Sequence, residues 1–207
     1  AAVAERRQTI PILANLRLKT LNGKLEVTAT DLEIQIKTFS DLLHVEEEGE
    51  TTVSARKMSE LCRSLPDGEK VNFSLTSGKL TVRANNFHAD FATISPDDFP
   101  EIEINEELTP LKINSSVLKR VLTKTAFSMA SQDVRYYLNG MLLEVNGSKI
   151  NGVATDGHRL ALSSSYLVDS NLEVRNILPR KAVLELSKLL SADDEDISLM
   201  IGPSYIE

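Results

Sequence analysis

One cysteine, Cys62, stands among 207 residues, so an intrachain disulfide is impossible and a reducing cytoplasm is the simplest compartment. Asn-x-Ser matches at Asn72, Asn114 and Asn146 are then chance occurrences, because glycosylation requires secretion. No apolar run approaches the length of a membrane span, and no charged-then-apolar leader points to export. Also missing are a phosphate-cradling glycine-rich loop, a His-Glu-x-x-His and a Cys-x-x-Cys. His44, His88 and His158 are scattered without ligand spacing, so neither a metal nor a cofactor is expected. Aromatic residues make up 5% of the chain, and none forms a stacking platform of the kind that reads single strands or bases.

What is present is a globular balance of 42% hydrophobic and 26% charged residues, enough for a real core. The net charge of −7 speaks against nucleic acid only until its distribution is considered. Three segments have helical patterning: Val53–Leu65, Asn114–Gln132 and Leu178–Leu190. Their bases are Arg56, Lys57, Arg63, Lys119, Arg120, Lys124, Arg180, Lys181 and Lys188, against only two acids, Glu60 and Glu185. Seven net positive charges thus lie on the helices and fourteen net negative on the rest. Surface salt-bridging mixes the signs, so this segregation predicts one cationic face turned to phosphate.

Most of the chain reads as short alternating strands closed by tight-turn pairs: Asn22-Gly23, Ser77-Gly78, Asn146-Gly147 and Asp156-Gly157. Val71–Leu75, Lys79–Arg83 and His88–Ala92 predict a three-stranded meander. Each helix is amphipathic. In the first, Met58, Leu61, Cys62 and Leu65 share a face, which makes Cys62 a core thiol. In the second, Val117, Leu118, Val121, Leu122 and Met129 form the stripe, with Asn114 or Ser115 as N-cap. In the third, Val183, Leu186 and Leu190 point inward. Ser95–Pro110, with three prolines, six acids and no base, reads as a linker.

Across that linker the chain repeats itself. Adding 125 carries Leu13, Leu16, Leu18 and Leu25 to Leu138, Met141, Leu143 and Ile150, Ala29-Thr30-Asp31 to Ala154-Thr155-Asp156, and Glu60 to Glu185. Arg56-Lys57 meets Arg180-Lys181 at 124, which implies one inserted residue, and Val71, Phe73 and Leu75 meet Ile197, Leu199 and Ile201 at 126. Thr51–Ile94 and Leu111–Ser165 each run strand, helix, three strands. The predicted class is therefore α+β: two domains, 1–105 and 106–207, each a pair of βαβββ units with antiparallel sheets outside and two helices on one face. On this reading the first copy lacks its opening strand and most of its first helix, and the second lacks its last strands.

Thr155-Asp156-Gly157-His158-Arg159 is the one cluster that suggests chemistry. Asp156 and His158 could be a hydrolase's base and orienter, or Asp156-Gly157 could be a plain turn. The first copy keeps Thr30-Asp31 but follows it with Leu32-Glu33, so the shared aspartate argues for a backbone role and against an enzyme. What differs between the copies, Gly157-His158-Arg159-Leu160, is the functional candidate. Nearby, Tyr136 and Tyr137 on a strand would face opposite ways, one into the core and the other beside a groove with Leu138 and Leu160. A repeat-built interaction module that never meets DNA remains the other alternative.

Gln132–Gly140, Val153–Leu160, Pro179–Lys181 and Thr9–Leu13 closely resemble the bacterial DNA polymerase III beta subunits, the sliding-clamp family, and the likeness runs the whole length. The resemblance implies the first two of three clamp domains and a non-enzymatic processivity factor for DNA replication. In the family two chains pair head to tail in a ring around duplex DNA, with helices lining the hole. It also implies DNA-facing positions at Arg7, Arg56, Gln132, Arg135, Tyr136, Tyr137, Arg180 and Lys181. A partner-peptide pocket is implied at Leu138, Thr155, Gly157, His158, Arg159 and Leu160. The implied partners are the polymerase III catalytic subunit, the clamp loader, and other polymerases and repair proteins carrying short peptide motifs. No membrane partner is implied.

Overall fold

A computed structural model describes residues 3–4, 10–168, 170–191, 193 and 195–207. The chain forms two compact units, Ala1–Ile102 and Glu103–Glu207. The first runs β1 (Asn15–Leu21), β2 (Lys24–Thr30), β3 (Gln35–Asp41), β4 (Glu50–Ser54), α1 (Ala55–Ser64), β5 (Asn72–Thr76), β6 (Lys79–Ala84) and β7 (Phe87–Ile94). Its seven strands make one antiparallel sheet in the order β3-β2-β1-β4-β7-β6-β5, and β5–β7 are the predicted meander. The second unit runs β8 (Thr109–Asn114), α2 (Ser115–Thr125), β9 (Gly140–Asn146), β10 (Lys149–Thr155), β11 (Leu160–Tyr166), β12 (Glu173–Pro179), α3 (Arg180–Leu189) and β13 (Asp196–Ile201). Here the strands split into a four-stranded antiparallel sheet, β11-β10-β9-β12, and a separate β13–β8 pair. Both α2 and α3 pack on the same four-stranded sheet and touch each other. Among the described residues the first unit has α1 alone.

The repeat is more regular than the residue identities imply. The bounds of β1, β2 and β3 become those of β9, β10 and β11 on adding 125, and those of α1 become those of α3. The inserted residue inferred from Arg56-Lys57 and Arg180-Lys181 is therefore absent. Arg56 corresponds to Lys181, while Met58 and Leu61 correspond to the inward Val183 and half-buried Leu186. Burial, not dipeptide identity, sets the correspondence of the two helices.

Local chemistry explains most boundaries. Asn22-Gly23 and Ser77-Gly78 take positive φ at both central positions, the mirror-image turn that suits strand twist. The β9–β10 turn sits one residue later than predicted: Asn146 pairs with Lys149, leaving Gly147-Ser148 as the loop. Ser54 caps α1 by accepting from the Lys57 N–H, and Asn114 caps α2 by accepting from the Ser116 N–H at 3.0 Å. Helix α2 stops at Thr125 rather than Gln132, followed by a 3-10 turn, Ala126–Ser128. Beyond it the backbone finds other partners: the Ala130 N–H donates to Leu138 O at 2.9 Å, and Met129 O accepts from Arg180 Nη1 at 3.0 Å.

Two separate cores result. One holds Leu16, Leu18, Val53, Met58, Leu61, Leu80, Val82 and Phe91; the other holds Leu118, Val121, Leu122, Met141, Leu143, Val145, Ile150 and Val183. Helix α2 lies so close to β10 that a Cβ on Gly152 would meet Val121 Cγ1 at 2.7 Å. Two core assignments change. Cys62 is exposed although it stands one turn beyond buried Met58, so the apolar face of α1 is covered at Ala55, Met58 and Leu61 but not at its far end. Tyr136 and Tyr137 lie in a 3-10 turn, Tyr136–Asn139, not a strand, so both rings are exposed and Leu138 is the residue buried. The acidic linker is also partly built in. After a 3-10 turn at Pro96–Asp98, Phe99 is buried against the Arg17 guanidinium, and Thr109 and Pro110 already belong to β8.

Candidate functional site

The nine helix bases do not form a uniform free surface. Arg56 and Lys188 reach the two helix acids, at 2.9 Å to Glu60 and 2.7 Å to Glu185. Lys119 donates to Leu190 O at 2.9 Å, tying α2 to the end of α3, and Arg120 donates to Ser165 Oγ on β11 at 2.8 Å. Arg180 is half-buried and spends Nη1 on the carbonyls of Met129 and Ala130, so it carries structure as well as charge. Lys57, Arg63 and Lys124 are exposed. Arg7 lies outside the described residues.

The placement of these charges along the helices says more than their number. None of the three helices has an acid in its first turn. Instead α1 opens with Ala55-Arg56-Lys57 and α3 with Arg180-Lys181. A helix N-terminus carries positive partial charge and favours acids there, by about 0.3–1 kcal/mol. Basic pairs at two N-termini work against folding and concentrate positive potential, the arrangement an anionic ligand requires.

The segment between α2 and β9 carries Gln132, Arg135, Tyr136 and Tyr137 on a firm frame. Asn139 accepts the Asp133 N–H and donates to Asp133 O, both at 2.8 Å. Asp133 takes Arg135 in a two-pronged pair, Nε at 3.0 Å and Nη2 at 2.9 Å, and also accepts the Arg135 backbone N–H. The Arg135 guanidinium, with its backbone N–H, pulls the Asp133 carboxyl down to about 2. Gln132 sits at φ +62, uncommon for a residue with a side chain. The two tyrosine rings meet edge to face at 5.9 Å.

The candidate peptide residues gather on the loop joining β10 to β11. Asp156 Oδ1 accepts the backbone N–H groups of His158 and Arg159, each at 3.0 Å, while Oδ2 takes Arg159 Nε at 2.9 Å. Those backbone N–H groups first, then the Arg159 side chain, hold its carboxyl below the usual range. Thr155 Oγ1 accepts the Gly157 N–H and donates to Arg159 O at 2.7 Å. Asp31 and Thr30 make the same four bonds in the first copy, with the backbone of Leu32, Glu33 and Ile34 at the equivalent positions. Asp156 is thus a loop-builder bonded to the backbone of His158, and the hydrolase alternative loses its base. Leu160, 66% exposed, follows the loop, whereas Leu138 is buried beneath the tyrosine turn.

One contact of a predicted residue, Arg135, and one further residue, Phe127, escaped the sequence reading. Arg135 passes against this loop: a Cβ on Gly157 would stand 3.2 Å from its Nη2, so the DNA and peptide candidates adjoin. Phe127, just past α2, lies under the Arg159 guanidinium at 5.6 Å and accepts Arg159 Nη2 on its carbonyl at 2.7 Å. Phe127 stands outside the α2 apolar stripe, and that exception was the available signal. Among the described residues no group of His, Cys, Asp or Glu is placed to hold a metal, and no helix is long and apolar enough to cross a membrane.

A doubled α+β chain of antiparallel sheets, with basic pairs opening two of its helices, defines a repeat-built α+β class. Residues 1–103 match the family described as DNA polymerase III beta subunit, N-terminal domain, and residues 112–207 match its central domain. The chain belongs to the DNA polymerase III beta subunit family, the bacterial sliding clamps. It is 42% identical over all 207 residues to the beta sliding clamp of Pseudomonas aeruginosa, covering 56% of that relative. It is 40% identical over 200 residues to that of Escherichia coli K12, covering 97% of this chain and 55% of the relative. A crystal structure of the P. aeruginosa clamp bound to griselimycin superposes with a TM-score of 0.89 at 42% identity, over 98% of this chain and 55% of that one. The chain therefore spans a little over half the length of the curated relatives it matches.

Proposed function

We propose that this chain supplies the first two domains, 1–105 and 106–207, of a cytoplasmic ring that encircles duplex DNA. In that ring it acts without catalysis as a replication processivity factor, pairing head to tail with a second full-length copy. The observation that carries this reading is the charge at the helix starts. Arg56-Lys57 and Arg180-Lys181 oppose the helix dipole, a cost that a phosphate-facing surface explains. Arg7, Gln132, Arg135, Tyr136 and Tyr137 complete the DNA side. The absence of base-reading aromatics suits a ring that must slide. The polymerase III catalytic subunit, the clamp loader and other polymerases and repair proteins bind through short peptides at Leu138, Thr155, Gly157, His158, Arg159 and Leu160.

The test is duplex binding by the full-length protein as a function of salt. Arg56→Ala with Lys181→Ala leaves the Arg180 backbone ties intact and should flatten the log–log salt slope by about 0.9 per lost phosphate contact. An unchanged slope removes these residues from the DNA face.

A further inference from the structure

Resting on the peptide-site reading, we propose that Phe127 is a positioning residue of that site. Its ring and carbonyl hold the Arg159 guanidinium in place to receive the main chain or a carboxylate of an extended partner peptide. Phe127 is 59% exposed and belongs to no apolar stripe, so core packing does not account for it. Its carbonyl lies just beyond α2, where helix carbonyls lack internal partners and the dipole is negative, a natural seat for a cation. Arg159 fills that seat through Nη2, spans to Asp156 through Nε, and lays its face over the Phe127 ring.

Arginine has five N–H groups, and these bonds use two. The three that remain lie on a fixed planar fork next to exposed Leu160, which pairs an apolar contact with a polar bracket. The first copy shows what kind of ligand fits. At the position of Leu160 it has Gln35, whose Oε1 accepts the backbone N–H of Ile102 at 3.1 Å. There a backbone N–H of the chain itself bonds the position that the second copy leaves exposed.

The experiment titrates a fluorescein-labelled peptide carrying the clamp-binding segment of the replicative polymerase against the full-length protein. The variants are Phe127→Ala, Phe127→Tyr, Arg159→Ala and the double Phe127→Ala/Arg159→Ala. Arg159→Ala should weaken binding by about tenfold. Phe127→Ala should weaken it about two- to fivefold, Phe127→Tyr should restore it, and the double variant should bind no more weakly than Arg159→Ala alone. Unaltered binding by Phe127→Ala with Arg159→Ala impaired overturns the positioning role alone. So does full additivity, which would make Phe127 a direct contact. If Arg159→Ala itself binds as wild type, the peptide-site reading falls and this inference with it. Melting temperatures of all four variants guard against a trivial loss of fold.

Discussion

The two copies build the same loop from different residues and then use the same sheet face in opposite ways. Thr30-Asp31 and Thr155-Asp156 make matching bonds, yet the residue at the loop's left-handed position is Leu32 at φ +76 in one copy and Gly157 at φ +89 in the other. Across the outer face, Lys37, Thr28, Arg17 and Thr52 stand side by side in the first copy. Their counterparts at 125 are Leu162, Val153, Leu142 and Ile177. Three of the four polar residues are buried and only Lys37, at the end of the row, is exposed: Thr28 and Thr52 are sealed, and Arg17 lies under Phe99 with Glu26, Glu50 and Glu101 around it. The apolar row is open, with Leu162 61% and Ile177 52% exposed. The threonine–aspartate loop is thus common to both copies, whereas the row beside it follows what lies on it: the chain itself on the first, open surface on the second.

The largest effect should come from giving the first copy the second's residue at the buried position. Arg17 Nε stands 2.7 Å from Glu50 Oε1, close enough for an ion pair though off line for a hydrogen bond, and Arg17 also reaches Glu26 and Glu101. Arg17→Leu leaves three carboxylates around an apolar side chain and should cost about 3–5 kcal/mol in urea unfolding. A loss below about 1 kcal/mol would mean that Lys37 and Lys19 already neutralise the cluster.

Exchanging the loop residues should have smaller effects of opposite sign. Gly157→Leu forces a side chain into the left-handed region and against the Arg135 guanidinium, at a cost of about 1–2 kcal/mol. Leu32→Gly relieves the same strain and should stabilise the first unit by about 0.5–1 kcal/mol. Destabilisation by both would show that Leu32 packs usefully despite its backbone.

The smallest effect is in acid. Asp133 and Asp156 both have carboxyls held below their ordinary range, Asp133 at about 2. Groups shifted in this direction stabilise the fold above the unfolded pKa, near 4, and lose that contribution as pH falls through the folded value. Amide exchange protection at Arg135, whose backbone N–H donates to Asp133, should therefore hold to about pH 4 and fade toward pH 2. Protection at Arg159, which donates to Asp156, should likewise be lost only below the ordinary carboxylate range. In Asp133→Asn the Arg135 step should vanish while the Arg159 step remains. A step at Arg135 that survives would assign it to another group.

Much of this was legible in the residues because it rests on local rules. The turns at Asn22-Gly23 and Ser77-Gly78, the alternating strands and the Asn114 cap follow from short-range geometry, and the 125-residue period from the residues themselves. Asn146-Gly147, by contrast, is displaced by one residue, and Asp156-Gly157 opens a longer loop, 156–159. The failures were long-range. Phe99 reads as linker until Arg17, distant in sequence, is found beneath it. Tyr136-Tyr137 reads as strand until Asp133 and Asn139 close a turn. Phe127 gains meaning only through Arg159, 32 residues away. Identity misled where facing decides, as in the match of Arg56-Lys57 to Arg180-Lys181.

A ring closed around duplex DNA is tested most directly by topology. The full-length protein, loaded by its clamp loader onto a nicked circular plasmid, should co-elute with the DNA on gel filtration at salt that abolishes simple phosphate binding, and should be released when the plasmid is cut once. Equal loss from the intact circle and the linear form would contradict encirclement, whatever the charge on the helices.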